Sequence, residues 1–306
     1  MTKISKLLQY SESEKRAILK HYNISEKEFE ELVEQVREWF TKSSLPQEHF
    51  NNDAIKSSLL NCKMSLEKSK KTIQGYFTVR TLKSEFFNRF LPNTEGYEES
   101  KTLTKVAVMP RLSPDLCRIT VFRMDDPGGK ASDGLLYAIA AIMQVELRIR
   151  NKEFFCSNIL IIDLQGFHLH NLMKFTPTVT KTLVDLMLAI NLRLKNIHLV
   201  NLPPFLDKIM IMLKMILPSK FFEKVRSHTD FESLYDFIPK EYLPSNYGGD
   251  QASIEQLHED WCQEVEKNED EFKKLLGAKC QILEENDIER NEQFGVEGSF
   301  RKLTLD

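Results

Sequence analysis

Apolar residues recur at helical spacing through the N-terminal part of the chain, with polar residues between them. The run Phe29–Phe40 repeats every three or four residues, which is typical of an amphipathic α-helix. Ser25 is the expected N-cap with Glu28 completing a capping box, and Pro46 marks the end of this helix. A second helical stretch is expected from Ile55 to Thr78. The pattern therefore predicts an N-terminal bundle of helices.

After a weakly patterned polar link at Asn93–Lys105, apolar strands alternate with helices. The predicted strands are rich in β-branched residues and comprise Cys117–Met124, Asn158–Leu164, Ile197–Leu202 and a short Val225–Thr229. The predicted helices between them are Ala131–Lys152, Pro177–Leu188 and Pro203–Leu217. Because the strands at 158–164 and 197–202 are continuously apolar, they indicate an α/β fold with a mostly parallel sheet buried on both faces.

One of these helices, Pro203–Leu217, is apolar around nearly its whole circumference. The charged residues are confined to one narrow face of this helix, which comprises Asp207, Ile211 and Lys214, with Lys208 beside them. At about 1.5 Å per residue the segment is too short to cross a bilayer. It fits a buried core helix, and it equally fits a mobile lid that covers a lipid and dips into a membrane. Three methionines would make such a lid adaptable to an irregular apolar ligand.

Composition and charge limit the classes of protein to which the chain can belong. The chain has 306 residues, of which 42% are hydrophobic, and a net charge of -3, which suits a globular protein and gives no reason to expect a nucleic-acid partner. The charge is uneven, because Arg193–Arg226 holds seven basic and two acidic residues, whereas the chain from Gly249 onward holds 16 acidic and 7 basic. A basic patch beside an apolar helix suits an anionic membrane surface, and simple solvation of the charges is the alternative.

Cysteine usage and hydropathy indicate a cytoplasmic protein. The five cysteines are scattered without a C-x-x-C pair, which fits reduced thiols and gives no disulfide framework or zinc site. The start of the chain has no apolar signal region, and no stretch of about 18 uncharged apolar residues occurs.

Motifs for catalysis are weak. Gly128–Lys130 resembles part of a phosphate loop, but Met124 stands where the loop's first glycine belongs. Asp163–Gly166 fits a turn that ends a strand. His168 and His170 would share one side of a strand, yet no third metal ligand is suggested. We therefore expect no enzyme activity, no metal and no cofactor.

Five segments, taken in order, resemble the CRAL-TRIO family of lipid carriers, and specifically the branch of tocopherol and retinaldehyde carriers. They are Leu59–Lys70 with Tyr76–Arg80, Ile161–Phe167, Phe175–Pro177 with Lys181, Ile197–Pro203, and Leu243–Gly249. The resemblance implies an N-terminal helical bundle at 1–92 and a CRAL-TRIO domain with a lipid pocket and a helical lid at 93–250. An acidic helical extension is expected at 251–306, where Trp261 and Phe272 either form a partner surface or pack as a C-terminal helix.

Three positions depart from the family pattern. Lys214 is followed by Met-Ile where Lys-Pro-Phe is usual, Asn191 stands where proline is common, and Asn246 replaces an acidic residue. We expect these differences to alter lid geometry and membrane release rather than the fold.

The resemblance implies a monomeric, non-catalytic carrier that holds one hydrophobic lipid, such as tocopherol or a retinoid, in a closed pocket. Positions that can hold serines in the family fall at Ala140 and Gln144, so Gln144 or Tyr137 is the expected donor to the polar end of the ligand. The full set of implied pocket residues is Tyr137, Ala140, Ala141, Gln144, Leu160, Ile162, Leu186, Ile190, Leu194, Ile197, Phe205, Ile209, Leu213 and Ile216.

The resemblance also implies that phosphoinositide head groups assist release at membranes. The implied contacts are Lys63, Arg193, Lys195, Lys220 and Lys224. Arg193 and Lys195 would share a face of an extended segment, and Lys220 and Lys224 would share a face of a helix. Two alternatives stay open: a membrane-docked module that senses lipid without moving it, and a phosphatidylinositol transfer protein.

Overall fold

A computed structural model describes residues 4–280 of the chain. The N-terminal helices are α1 Ile4–Leu7, α2 Glu12–His21, α3 Glu26–Lys42, α4 Asn52–Asn61, α5 Leu66–Leu82, α6 Ser84–Phe87 and α7 Glu95–Leu103. The capping box predicted for α3 is confirmed, since Ser25 Oγ accepts from Glu28 N at 3.2 Å and Glu28 Oε2 accepts from Ser25 N at 2.8 Å. Without these two hydrogen bonds, the backbone N–H groups of Ser25 and Glu28 would lack a partner at the start of the helix.

The helical stretch predicted from Ile55 to Thr78 consists of two helices, because the chain turns between α4 and α5. Lys63 and Met64 adopt φ values of 54° and 62°, in the left-handed region that helices of L-residues avoid. Ser65 then caps α5 by accepting from Lys68 N at 3.4 Å. The turn leaves Lys63 exposed at the end of α4.

The sheet has five strands in the order β1-β2-β3-β4-β5. They are β1 Thr104–Val108, β2 Cys117–Met124, β3 Ser157–Asp163, β4 Leu194–Val200 and β5 Val225–Ser227. β1 is antiparallel to β2 and every other pair is parallel, which confirms the α/β fold with a mostly parallel sheet. The polar link predicted at Asn93–Lys105 is wrong, since this stretch forms α7 and the start of β1. Tyr97, Ser100 and Leu103 of α7 are buried.

The remaining helices follow the strands. They are α8 Leu136–Arg150, α9 Leu169–Leu172, α10 Pro177–Ile190, α11 Leu206–Ile216, α12 Ser219–Phe222, α13 Phe231–Tyr235, α14 Ile254–Lys267 and α15 Glu269–Leu275, with 3-10 turns at Gln47–His49, Lys240–Tyr242 and Ser245–Tyr247. α10 ends at Asn191 in a left-handed conformation with φ 48°. Proline, whose φ is fixed near −65°, would not fit this C-cap, so the departure at this position has a backbone cause.

Buried ion pairs join the N-terminal helices to the α/β part. Glu146 on α8 accepts from Arg80 at 2.7 Å and from the Tyr76 hydroxyl at 3.0 Å, and it also pairs with Arg150. Arg80 further donates to the Leu275 carbonyl at 2.8 Å. Breaking one member would leave a buried charge without a partner, so these contacts hold the three parts of the chain in one arrangement.

The C-terminal helices pack into the core. Trp261 and Phe272 are fully buried and belong to the cluster that also contains residues of α5 and α8. The packed helix expected as one alternative is therefore found, and a partner surface built on these two side chains is not. The rest of the predicted extension, 281–306, lies outside the described residues.

Candidate functional site

The two faces of the sheet differ in how completely they are filled. On the back face Ile119, Val121, Ile159 and Ile161 are buried to within 2% of full burial and pack against α13 and α14. On the front face Thr120, Phe122 and Met124 of β2 and Leu160 and Ile162 of β3 are only half-buried. Alternate residues of a strand point to opposite faces, so the half-buried residues of β2 and β3 share the front face. Ile197 and Leu199 of β4 lie on this face too and are fully buried beneath the lid, so the incomplete burial is confined to β2 and β3.

Helices nonetheless cover this front face. Arg148 of α8 contacts Thr120 and Asn158 on it, at 3.4 and 3.0 Å, and α11 packs over β4. Central strands that are covered and yet remain accessible indicate space between the sheet and its covering helices. The candidate pocket lies in this space, bounded by β2, β3, α8, α10 and α11.

Side chains from two hydrophobic clusters meet at the candidate pocket. Met124 and Phe175 pack against the cluster of α8 and α10 and also against the cluster of the lid helix α11. Phe122 joins the first cluster from the front face. Sequence reasoning missed these three residues, although the alternation of β2 already places Phe122 and Met124 on one face.

The structure distributes the predicted pocket residues over three locations. Those brought together beneath the lid helix are Leu160, Ile162, Leu194, Ile197, Phe205, Ile209 and Leu213. Those in the adjoining cluster are Tyr137, Leu186 and Ile190. Ala141 is half-buried on α8, whereas Ala140 and Gln144 are buried on it, and the side chain of Ile216 lies outside the described part of the structure.

The polar contacts of α8 correct one expectation. The Tyr137 hydroxyl donates to Asp126 Oδ2 at 2.7 Å and accepts from Asn171 at 3.2 Å, so its proton is not free for a ligand. Burial and the hydrogen bond to Asp126 raise the pKa of Tyr137, which keeps the hydroxyl neutral. The donor role predicted for Tyr137 is therefore wrong.

Gln144 and Ala140 of α8 make polar contacts with β1 and α7, respectively. Gln144 Nε2 reaches the Val106 carbonyl at a long 3.4 Å, and Ala140 N donates to Ser100 Oγ at 2.9 Å. Gln144 Oε1 is buried without a hydrogen-bond partner among the described residues. The Gln144 amide therefore has more hydrogen-bonding capacity left for a ligand than the Tyr137 hydroxyl has. Its role as a donor to the ligand stays a prediction.

The lid helix α11 has distinct inner and outer sides. Ile209 and Leu213, four residues apart, are buried against the front face of the sheet. Ile211 and Met215, also four apart, are 61% and 65% exposed, and Lys208 and Lys214 are exposed beside them. The outer side therefore presents apolar side chains flanked by lysines.

A second exposed apolar pair lies close to the lid. Leu169 is 44% exposed and Met173 78% exposed, on and just after α9. Leu172 and Phe175, their neighbours in the chain, pack against the lid cluster. Large apolar side chains exposed in this number on adjoining segments are unusual for a surface that meets only water.

Four of the predicted cations lie close together. Lys224 donates to the Leu194 carbonyl at 2.5 Å, and its pKa is lowered by burial and by repulsion from Arg193, Lys220 and Lys63. No salt bridge to a carboxylate is found for these four residues within the described part of the chain. We call Lys63, Arg193, Lys220 and Lys224 the basic cluster. The helical pairing expected of Lys220 and Lys224 is wrong, because α12 ends at Phe222.

The remaining predicted cation and Arg193 have protein partners. Lys195 forms an ion pair with Asp115 at 2.6 Å. Arg193 donates to the Tyr22 hydroxyl at 2.5 Å and to the Cys156 carbonyl at 3.1 Å, and its guanidinium lies over the Tyr22 ring. Arg193 thus supports the contact with the N-terminal helices as well as contributing charge.

The basic cluster is tied to the wall of the candidate pocket. Asn191, the C-cap of α10, donates to Cys62 Sγ and Thr72 Oγ1, both at 3.2 Å. Cys62 immediately precedes Lys63, and Arg193 follows Asn191 by two residues. The end of a pocket helix therefore lies against the segment that presents Lys63.

A separate surface cavity of about 620 Å³ adjoins the start of the lid. It lies where β3 and β4 end, the edge of a parallel sheet at which ligands often bind. Its lining comprises Leu164, Gln165, Gly166, Phe167, His168, Asn201, Pro203, Pro204, Phe205, Phe231, Asn246 and Tyr247. Asp163 beneath it is already paired with Asn201 and with the Tyr247 hydroxyl.

Groups for metal binding do not assemble in residues 4–280. His168 caps α9 and His170 lies within it, so they are not on a strand; their rings stack with centroids 5.4 Å apart, and no group of three potential ligands occurs in these residues. In the same residues no helix is long and apolar enough to cross a bilayer.

The fold and the site define an α/β protein whose mostly parallel sheet is covered, but not filled, beneath a helical lid. The CRAL/TRIO domain family matches residues 114–249, which include β2 to β5 and the lid. The chain therefore carries a CRAL-TRIO domain, and the resemblance predicted from its motifs is confirmed.

Several known proteins are similar to this chain. The human alpha-tocopherol transfer protein-like protein is 24% identical over 217 residues, which cover 69% of this chain and 62% of that protein. Clavesin-1 from Rattus norvegicus is 29% identical over 113 residues, or 36% of this chain and 32% of clavesin-1. The crystal structure of Sfh5 superposes with a TM-score of 0.46 and 12% identity, covering 85% of this chain and 99% of that one. The chain thus spans less than two thirds of the length of these curated relatives.

Proposed function

We propose that this protein is a cytoplasmic, non-catalytic carrier that holds one hydrophobic lipid between the front face of its sheet and the lid helix α11. The observation that carries the proposal is the contrast within β3. Ile161 is fully buried, whereas Leu160 and Ile162 are half-buried although α8 and α11 cover their face. A hydrophobic ligand in that space would complete the burial that the protein leaves incomplete.

The energetics explain why a closed pocket is needed. A lipid tail with about 15 buried CH₂ equivalents gains roughly 12 kcal/mol on leaving water, at about 0.8 kcal/mol each. The same gain is already present when the lipid lies in a membrane. A carrier must therefore match the apolar interior of a bilayer and open while it is in contact with one.

The outer side of the lid supports docking to a membrane. Ile211, Met215, Leu169 and Met173 give exposed apolar side chains on adjoining segments, with Lys208 and Lys214 beside them. This combination suits an interface where apolar groups enter the acyl boundary and cations meet anionic head groups. With 11 residues the helix is too short to span the bilayer, so the protein would dock at the membrane surface.

The basic cluster supports a preference for phosphoinositide head groups. Arg193, Lys220, Lys224 and Lys63 combine four cations near the end of α10, where Asn191 is anchored to Cys62 and Thr72. A head group bound there would lie next to Asn191, at the end of α10, and α10 forms one wall of the candidate pocket. Lys195 would take part only if its ion pair with Asp115 opens.

The carried lipid is proposed to be a tocopherol, a retinoid or a similar non-phospholipid. The support is the family match together with relatives whose name refers to alpha-tocopherol transfer. A phosphatidylinositol carrier remains the nearest alternative within the same fold. A membrane-docked lipid sensor remains the alternative that uses the same pocket without transfer.

Mass spectrometry of organic extracts from the purified protein tests the pocket. The expected result is one dominant hydrophobic species at close to one molecule per chain. A Leu160→Trp variant, which fills the front face, should lose that species, and the exposed Leu82→Trp variant should keep it. Extracts free of any hydrophobic ligand, with no binding of added tocopherol, retinoid or phospholipid, would rule out the proposal.

A further inference from the structure

The basic cluster is a concentration of positive charge with no carboxylate partner in residues 4–280, in a chain whose net charge is negative. Its members meet where the end of α4 lies against the start of β4, since Arg193 N donates to Asn61 Oδ1 at 3.3 Å and Lys224 donates to the Leu194 carbonyl at 2.5 Å. Lys63 and Lys220 are exposed, and burial together with repulsion from the other three cations lowers the pKa of Lys224. By contrast, Lys15, Lys56 and Lys70 on α2, α4 and α5 each pair with a glutamate, as Lys56 does with Glu30 at 2.8 Å. An anionic group placed on the cluster would relieve this repulsion.

The chain itself contains a segment with the opposite charge. Five carboxylates occur within the nine residues Glu284–Glu292, opposed by a single arginine, Arg290. We call Glu284–Glu292 the acidic block. It lies outside the described residues and begins four positions after Cys280, the last residue that the structure describes.

The point at which the described chain ends places the acidic block within reach of the basic cluster. Cys280 N donates to Thr81 Oγ1 at 2.9 Å, at the C-terminal end of α5. Thr72 of the same helix contacts Asn191 next to the cluster, and nine residues of helix span about 14 Å. Lys63 lies just before the first residue of α5, roughly 25 Å from Thr81 by the same rise per residue. Twelve residues, from Cys280 to Glu292, can span up to about 40 Å, so length is not limiting.

We propose that the acidic block docks on the basic cluster and competes there with anionic membranes, so that the protein inhibits its own docking. The inference rests on the membrane role proposed above for the cluster. Carboxylates and phosphates are both acceptors for lysine and arginine, so one surface would accept either ligand. A membrane rich in phosphoinositide would displace the block, whereas a neutral membrane would not.

A docked acidic block would change which membranes the protein binds when it loads or releases its lipid. In the cytoplasm the block would occupy the cluster and reduce encounters with weakly anionic membranes. Docking would then require a surface with a charge density high enough to replace five tethered carboxylates. The block would therefore sharpen the choice of target membrane without touching the lipid pocket.

The test uses the full chain with the carboxylates of the block converted to amides, in the variant Glu284→Gln, Glu285→Gln, Asp287→Asn, Glu289→Gln and Glu292→Gln. A control variant changes the net charge equally at exposed positions elsewhere, namely Glu38→Gln, Glu85→Gln, Glu232→Gln, Glu241→Gln and Asp250→Asn. Co-sedimentation with vesicles of phosphatidylcholine containing phosphatidylinositol 4,5-bisphosphate measures docking. We expect the block variant to dock at least fivefold more tightly than the parent, and the control variant less than twofold. Equal docking of the block and control variants would overturn the inference.

A second measurement separates this inference from the proposed membrane role. A synthetic peptide of residues 281–293 is titrated against the block variant without vesicles, and again after adding Lys63→Ala and Lys220→Ala. We expect saturable binding that weakens at least tenfold in the lysine variant and falls with salt. If no variant prefers anionic vesicles but the peptide binds in this way, the membrane role fails and the intramolecular contact stands. If vesicles are bound but the peptide is not, the contact fails and the membrane role stands.

Discussion

Leu160 and Ile161 are consecutive in β3, yet Ile161 is fully buried on the back face and Leu160 is half-buried on a front face that two helices cover. Both are large apolar residues in a central strand of a parallel sheet, where filling on both sides is the rule. In the proposed function, a lipid against the front face completes the burial of Leu160.

This contrast predicts opposite responses to enlargement. Ile161→Phe should destabilise the protein by about 1–3 kcal/mol, because it overpacks a filled core. Leu160→Phe should change the free energy of unfolding by less, since space is available, but it should lower the amount of bound lipid. Urea unfolding and quantitative lipid extraction of the two variants check this. An equal loss of stability in both would mean that the front face is as tightly filled as the back.

The lid predicts that membrane docking can be lost without loss of ligand. Ile211→Gln with Met215→Gln removes exposed apolar side chains that make no core contact, so vesicle docking and transfer should fall about tenfold or more. Lipid content after purification should stay as in the parent. Leu82→Gln, at a residue 47% exposed on α5, is the matched control and should leave docking unchanged. If the lid variant docks normally, the outer side of α11 does not meet the membrane.

The basic cluster predicts a charge-specific defect. Lys63→Ala with Lys220→Ala should weaken docking to phosphoinositide vesicles by about 2 kcal/mol, or roughly 30-fold, at about 1 kcal/mol for each cation. The dependence of docking on salt should flatten. Arg193 is a poorer choice for this test, because its contacts with Tyr22 and Cys156 make it part of the fold.

The control for this defect is Lys42→Ala with Lys267→Ala, which removes the same charge at exposed positions on α3 and α14. It should dock nearly as the parent does. Docking that falls equally in both double variants would assign the effect to net charge and not to the cluster.

A buried histidine pair predicts how stability depends on pH. His198 Nδ1 and His228 Nε2 are 2.8 Å apart on the back face, with Phe237 against both rings. Burial, then repulsion from His228 and Arg226, lowers the pKa of His198 to about 4. Histidine in the unfolded chain titrates near 6.5, so the unfolded state takes up a proton first as the pH falls. The stability that the neutral His198 provides is therefore complete above about pH 6.5 and is lost between about 6.5 and 4.

The loss should approach 3 kcal/mol at pH 4, at about 1.4 kcal/mol for each pH unit. Urea unfolding at several pH values, in the parent and in His198→Asn, measures it. The difference in unfolding free energy between the two should shrink by about 2 kcal/mol from pH 7 to pH 4.5. A difference that stays constant over this range would assign the acid response to other groups.

The sequence predicted those elements whose pattern is set by their own side chains. β2 was placed at its observed bounds, Cys117–Met124, and the lid helix differs from its prediction mainly at its first three residues, which form the turn before it. β1 was missed because it has only five residues, with a lysine among them, and it gains its place by pairing with β2. The break at Lys63 and Met64 was missed because neither residue type signals a left-handed turn.

The candidate site was predictable to a similar degree. Pocket residues on the strands and on the lid were implied by the family resemblance, and seven of them meet in one cluster. The polar contacts of Tyr137 were not predictable, because Asp126 and Asn171 reach it from two different loops. The proximity of Lys63 to Lys224 likewise depends on the contact between the end of α4 and the start of β4, where Arg193 N donates to Asn61 Oδ1, and spacing along the chain does not encode that contact.

The most direct measurement of the central claim is the transfer of the extracted lipid from donor to acceptor vesicles, followed as a function of protein concentration. A carrier predicts a rate that rises in proportion to protein, exceeds spontaneous transfer at least tenfold, and increases further when the acceptor contains phosphoinositide. Leu160→Trp should abolish this transfer, because it fills the pocket. Tight binding of the lipid by the parent protein, with transfer no faster than the spontaneous rate, would contradict carriage and identify a lipid sensor instead.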